Sequence, residues 1–318
     1  MIKETLTASS YSLGTLINLR VQGNEAQRAI EEALGRLSDI DDKMSAFKDT
    51  SEISKINLKA GRTSQIVGKD TYLVIKEAIK YSRLLEGAFD PTIRPLVSLW
   101  NIGTEQEEMP EECEVDNMLQ LVNYKDVILD ESNSSIRLRR EKQALDLGGI
   151  AKGYAADEVR DIFYKYNISS ALIDLGGNIF AFGGKEDGTP WRVGIQDPFK
   201  TRGEFMGVLS VTNKSVVTSG NYEKYFTKAG KRFHHIIDPK TGYPSISKII
   251  SATIISDNSI DGDGLSTGVY IIGIDKAMRL IESISGVEAI FITQDKKTYV
   301  TSGINNIFTI TNKEFLGK

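Results

Sequence analysis

Two stretches of this chain gather residue types that handle phosphate and hard cations. The first, L-D-L-G-G-I-A-K-G-Y-A-A-D over residues 145–157, sets a glycine pair, Gly148 and Gly149, ahead of Lys152 and a helical run. Glycine lets a backbone carbonyl approach an ion closely, and helix-start amides with a nearby lysine can face phosphate oxygens. The second, D-G-D-G-L-S-T-G over residues 261–268, places Asp263 and Thr267 four apart. On a helix beginning near Asp263 both oxygens lie on one face. A carboxylate, a hydroxyl and a close carbonyl are oxygen ligands of the kind Mg²⁺ takes, with water or phosphate in the remaining positions. Each stretch also has a plainer reading, the first as a strand-turn-helix joint and the second as a helix capped by Asp263.

Neither common nucleotide signature fits the first stretch. A P-loop needs Gly-Lys-Ser/Thr, whereas Lys152 is followed by Gly153 and Tyr154. The spacing of Gly148, Gly149 and Gly153 also misses G-x-G-x-x-G, and no parallel βαβ rhythm surrounds them. The chain has two histidines, His234 and His235. Neighbours on a strand point to opposite faces, so at most one easily faces a site.

The elements that must hold these residues leave their own patterns. Residues 14–21 alternate, with Ile17, Leu19 and Val21 on one face of a half-buried strand. After Asn24, which reads as a cap, Ile30, Leu34, Leu37, Ile40 and Met44 recur at helical spacing. A second helix is expected over about residues 70–86, stopped by Gly87, and a third after Lys152. Beyond residue 170 come short β-branched runs broken by glycine and asparagine, which read as antiparallel sheets. Helices follow at about 265–272 and 276–285, and then two more strands. The class expected is α+β, antiparallel sheets flanked by helices, in one unit over residues 1–318. Residues 104–116 read as an acidic surface loop, Asp238 before Pro239 as a turn former, and Asp174 as at least as much a strand-end residue as a site residue.

Composition narrows the partners. With 318 residues, 40% hydrophobic and 26% charged, the chain has the balance of a soluble globular protein. A net charge of -4, without basic runs interleaved with aromatics, argues against nucleic acid. The single cysteine, Cys113, allows no internal disulfide and no cysteine metal cluster. No run approaches the roughly 18 apolar residues of a membrane span. The expected compartment is cytoplasmic as the chain stands, and exported or lipid-anchored if a leader has been removed from it.

Eight segments, in order along nearly the whole chain, resemble the ApbE-like family of FAD:protein FMN transferases. They are Y-S-L-G-T (11–15), M-S-A-F-K-D-T-S-E-I-S-K-I-N (44–57), G-A-F-D-P-T-I-R-P-L-V (87–97) and L-D-L-G-G-I-A-K-G-Y-A-A-D (145–157). The others are A-L-I-D-L-G-G-N-I (171–179), T-S-G-N-Y-E-K-Y-F (218–226), H-H-I-I-D-P-K-T-G-Y-P (234–244) and D-G-L-S-T-G (263–268). The resemblance implies a T-fold-related architecture and Mg²⁺-dependent transfer of FMN from FAD onto a serine or threonine of an acceptor protein, releasing AMP.

By the same resemblance the Gly149 carbonyl, Asp263 and Thr267 would hold the metal, with Ser266 as a further ligand. Lys152 would stand near the pyrophosphate. Asp146 would belong to the dinucleotide pocket, with Leu13, Phe47, Ala88, Phe89, Asp90 and Ile237 along the cofactor. His235, matching the family histidine before I-I-D-P, would be the general base for the acceptor hydroxyl, with Asp263 or metal-bound water as alternatives. Leu13 and Phe47 stand where the family more often has methionine and tyrosine, which keeps apolar surface but removes a sulfur and a hydroxyl. Asn221 stands where the family often has aspartate. The rivals are FAD hydrolysis to FMN and AMP, which would use the same pocket, and a flavin-binding protein without catalysis.

Overall fold

The computed structural model describes residues 5–185 and 187–316. The chain opens with β1 (Thr5–Ser12), β2 (Thr15–Gln22), α1 (Ala26–Met44), α2 (Glu52–Leu58), β3 (Gln65–Ile66), α3 (Lys69–Leu84) and α4 (Arg94–Trp100). It continues with α5 (Glu112–Leu119), β4 (Val127–Asp130), β5 (Ser135–Leu138), α6 (Ala151–Lys165), β6 (Ser170–Leu175), β7 (Asn178–Gly183) and β8 (Trp191–Gln196). Next come β9 (Phe205–Val211), β10 (Lys214–Gly220), β11 (Tyr225–Lys228), β12 (Lys231–His234) and β13 (Ile249–Ser256). Last are α7 (Ser259–Ile272), α8 (Ile274–Glu282), β14 (Glu288–Thr293), β15 (Thr298–Val300) and β16 (Phe308–Ile310).

Eight strands make one antiparallel sheet in the order β1-β2-β6-β7-β10-β13-β14-β15. Ile17, Leu19 and Val21 of β2 share one core with Ala29, Ala33 and Leu37 of α1 and Val159 and Phe163 of α6. On the other face the three-stranded sheet β16-β9-β8 packs Val193 and Leu209 against Val216 and Ile255. Every residue of β13 is therefore buried, which explains why I-I-S-A-T-I-I-S shows no clean alternation. A third, smaller core joins α4, α5 and the β11-β12 hairpin around Trp100. There the Trp100 indole stacks on Phe233 at 5.6 Å and donates from Nε1 to the Gly242 carbonyl at 2.8 Å.

Several expected boundaries move. Strand β1 was not foreseen, because T-L-T-A-S-S-Y-S carries little apolar contrast between its faces. Asn24 does not cap α1, whose N-cap is Glu25 without a side-chain bond. The second predicted helix is α3, after which Gly87 at φ 80° returns its amide to the Ser82 carbonyl. Helix α5 begins inside the expected acidic loop, with a capping box between Glu111 and Glu114. Helix α7 starts at Ser259, so Asp263 lies within it and cannot be its cap. Asp238 and Asp174 do form turns, accepting from the amides of Lys240 and Gly177 respectively.

Candidate functional site

Helices α6 and α7 cross at Gly153. A Cβ there would sit 2.4 Å from the Ser259 carbonyl and 2.7 Å from Asp263 Cβ, so glycine is what lets the helices approach. Across this contact the Gly153 amide donates to Asp263 Oδ2 at 2.9 Å. Asp263 is only 4% exposed, and among the described residues its Oδ1 meets one cation, the Lys152 ammonium at 3.7 Å. That ammonium is itself held by the Gly148 carbonyl at 2.5 Å. A buried carboxylate with one oxygen so thinly partnered suits a further cation. The glycine turn runs beside it: a Cβ on Gly149 would lie 3.0 Å from the Phe89 ring and 3.9 Å from Thr267 Oγ1.

The start of α7 is fixed from outside. Asn258 makes no side-chain cap. Instead Asp157 of α6 accepts the amides of Ser259 and Ile260, one on each carboxylate oxygen, at 2.8 and 2.9 Å. Burial pushes the Asp157 carboxyl up to about 6, against the pull of these amides and of Arg160. The Ser259 hydroxyl also donates to Asn178 Oδ1 at 2.6 Å, tying the helix to the main sheet. Within α7 the Ser266 hydroxyl is turned onto the Asp263 carbonyl at 3.2 Å.

His234 ends β12, His235 follows it, and the two face different surroundings. His234 is buried, donating from Nε2 to the Ser245 carbonyl and accepting the Ile236 amide on Nδ1. His235 is exposed, although protein stands close around its ring. Its Nδ1 stands 3.2 Å from the Lys224 carbonyl. A carbonyl only accepts, so Nδ1 carries the proton and Nε2 keeps a free lone pair. Desolvation pushes this imidazole down to about 4; the bond to Lys224 opposes the shift, and the charges of His234, Lys224 and Lys152 add to it.

The predicted cofactor residues fall into four groups. Phe47 is 76% exposed and lies under the Arg94 guanidinium, 4.0 Å from the ring centre. Arg94 pairs with Asp146 Oδ2 at 3.3 Å, and Asp146 Oδ1 accepts the Gly148 amide at 2.8 Å, so aromatic ring and glycine turn form one linked strip. Ala88, Phe89 and Ile237 are buried, the first two in the main core and Ile237 in the core around Trp100. The Asp90 carboxylate is occupied internally by the Thr92 amide and hydroxyl and the Tyr124 amide, and burial raises its pKa. Leu13 stands apart at the β1-β2 turn, where φ of 52° strains a leucine, and Gly14 follows at 71°.

The structure thus gathers Gly149, Lys152, Asp263, Ser266 and Thr267 at one helix crossing and links Phe47 to it through Asp146. Arg94, Asp157 and Ser219 complete the surroundings although residue types alone did not single them out. All three lie inside quoted motifs, but their partners are distant in sequence.

Comparison with known proteins places the chain in a family. The pattern of the ApbE family matches residues 13–291. The chain is 34% identical to the FAD:protein FMN transferase of Treponema pallidum (strain Nichols), covering 96% of this chain and 89% of that protein. It is also 34% identical to that of Klebsiella pneumoniae (strain 342), covering 92% and 91%. Among solved structures, the ApbE protein from Thermotoga maritima superposes with a TM-score of 0.86 at 30% identity, over 94% of this chain and 97% of that one. The flavin transferase ApbE from Vibrio cholerae gives 0.86 at 27%, over 96% and 99%. Since the matched span runs from the Leu13 turn into β14 and encloses the whole site, the chain belongs to the ApbE family.

Proposed function

We propose that this protein transfers the FMN half of FAD onto a serine or threonine hydroxyl of an acceptor protein, in a Mg²⁺-dependent reaction that releases AMP. The observation that carries the proposal is Asp263: a buried carboxylate, braced by the Gly153 amide, with one oxygen left to face Lys152, on the helix whose Thr267 lies beside the glycine turn. The relatives named FAD:protein FMN transferase support the choice of reaction.

Asp263, the Thr267 hydroxyl and the Gly149 carbonyl would hold the metal, as hard oxygens that suit Mg²⁺. Among the described residues no trio of His, Cys, Asp or Glu side chains comes together, so a softer centre has no ligand set. Bound there, Mg²⁺ would neutralise charge on the pyrophosphate oxygens. Lys152, tethered to the Gly148 carbonyl, adds a second positive charge beside the phosphates. The exposed Phe47 ring, steadied by Arg94, offers a flat apolar face for stacking. His235 Nε2 takes the proton of the acceptor hydroxyl as its oxygen attacks the FMN phosphorus. A new O–P bond forms, and the bond between that phosphorus and the bridging oxygen breaks, so AMP leaves with that oxygen.

The test incubates the protein with FAD, Mg²⁺ and a threonine-containing synthetic peptide, then follows AMP and FMN by chromatography and the peptide by mass. An FMN adduct on the peptide, lost with EDTA and in Asp263→Ala, is the expected result. Free FMN with unmodified peptide would replace the proposal with FAD hydrolysis. Retained FAD without AMP would leave a binding protein.

A further inference from the structure

We propose that Ser219 of β10 aims the Thr267 hydroxyl through a one-way chain of hydroxyl protons, making it a positioning residue for the metal site; this rests on the metal reading above. The direction of the chain follows from counting protons. Ser266 is 1% exposed, and its Oγ lies 3.2 Å from the Asp263 carbonyl and 2.8 Å from Ser219 Oγ. A carbonyl cannot donate, so the single Ser266 proton goes to Asp263 O. Ser266 Oγ must then accept from Ser219, which uses the only proton Ser219 has. Ser219 Oγ also stands 3.2 Å from Thr267 Oγ1. With its own proton committed, it can only accept there.

The Thr267 proton therefore points at Ser219, and the lone pairs of Oγ1 are left for the Gly149 side, where a metal ligand is needed. The alternative for a helical threonine is to turn its proton back onto the carbonyl four residues earlier. Here that carbonyl belongs to Asp263, inside α7, and its two lone pairs take the Ser266 proton and a backbone amide of the helix. Ser219 thus fixes the rotor of one ligand without touching the ion, as outer partners of metal ligands do.

The experiment uses the full chain and Mn²⁺ alone, read by the EPR signal of unbound ion, so that it does not depend on turnover. Ser219→Ala is expected to weaken Mn²⁺ binding by about tenfold, and Ser219→Thr, which keeps a hydroxyl, to restore most of it. Thr267→Ala should weaken binding too, and adding Ser219→Ala to it should cause no further loss, because the serine acts only through the threonine. Equal binding by wild type and Ser219→Ala would overturn the relay, as would losses that multiply in the double variant. Absence of Mn²⁺ binding by the wild type would overturn the metal site itself and the relay with it.

Discussion

His234 and His235 are neighbours with opposite fates. Both nitrogens of His234 are used inside the protein, whereas His235 spends Nδ1 on the Lys224 carbonyl and keeps Nε2 open. Because its folded pKa is depressed to about 4, His235 stays neutral through the physiological range. The sign follows: kcat/KM should hold as pH falls past 6.5, the ordinary imidazole value, and drop only toward the lower figure. His235→Gln should cut transfer by on the order of 10²- to 10⁴-fold and abolish that acid limb, while FAD binding, measured by flavin fluorescence, is retained. At this scale Asp263, Thr267 and Lys152 were legible in the sequence, since each pattern is local to one turn or one helix. Ser219, Asp157 and Arg94 were not, because a hydroxyl or a charge leaves no local sign of a partner many residues away.

Helix α7 illustrates how an element can be held by another element's side chain. Its own N-cap is idle, and Asp157 of α6 does the capping. Asp157→Ala should therefore destabilise the fold by about 1–3 kcal/mol in urea unfolding, and should lower Mn²⁺ affinity as the start of α7 loosens. Asp157→Asn keeps one acceptor oxygen and should fall between. Gly153→Ala forces a methyl against the Ser259 carbonyl and should cost about 1–3 kcal/mol by the same measurement. The sequence misplaced the start of this helix because I-S-D-N-S-I-D-G-D-G is dense in turn-forming residues, and only the tertiary cap makes it helical. Helices α1 and α3 were legible because their buried residues recur at 3.6-residue spacing against a polar face.

Across the whole molecule, a sheet covered on both faces carries the α6-α7 crossing with Lys152 and Asp263, while the third core around Trp100 lies beside His235. The α+β class was readable from the switch in texture near residue 170. The sheet order was not, since β2 pairs with β6 across most of the first half of the chain and nothing in either strand names its partner. The main sheet and the core around Trp100 should be separable by mutation. Trp100→Ala removes a fully buried ring that holds Phe233 and the Gly242 carbonyl. Its expected cost is about 3–5 kcal/mol in thermal or urea unfolding, with transfer reduced through His235 and Mn²⁺ affinity near that of the wild type.

Among the described residues the hairpin β11-β12 pairs only with itself, four residues against four, whereas α6 and α7 are bolted to each other and to the eight-stranded sheet. In amide hydrogen exchange, the backbone around Gly153 and Asp263 should therefore exchange only through global unfolding, and that of residues 225–234 through frequent local opening. Equal protection of the two would contradict this. With unequal protection the molecule keeps two clocks, a slow one for the frame of helices and sheet and a fast one for the hairpin beside it.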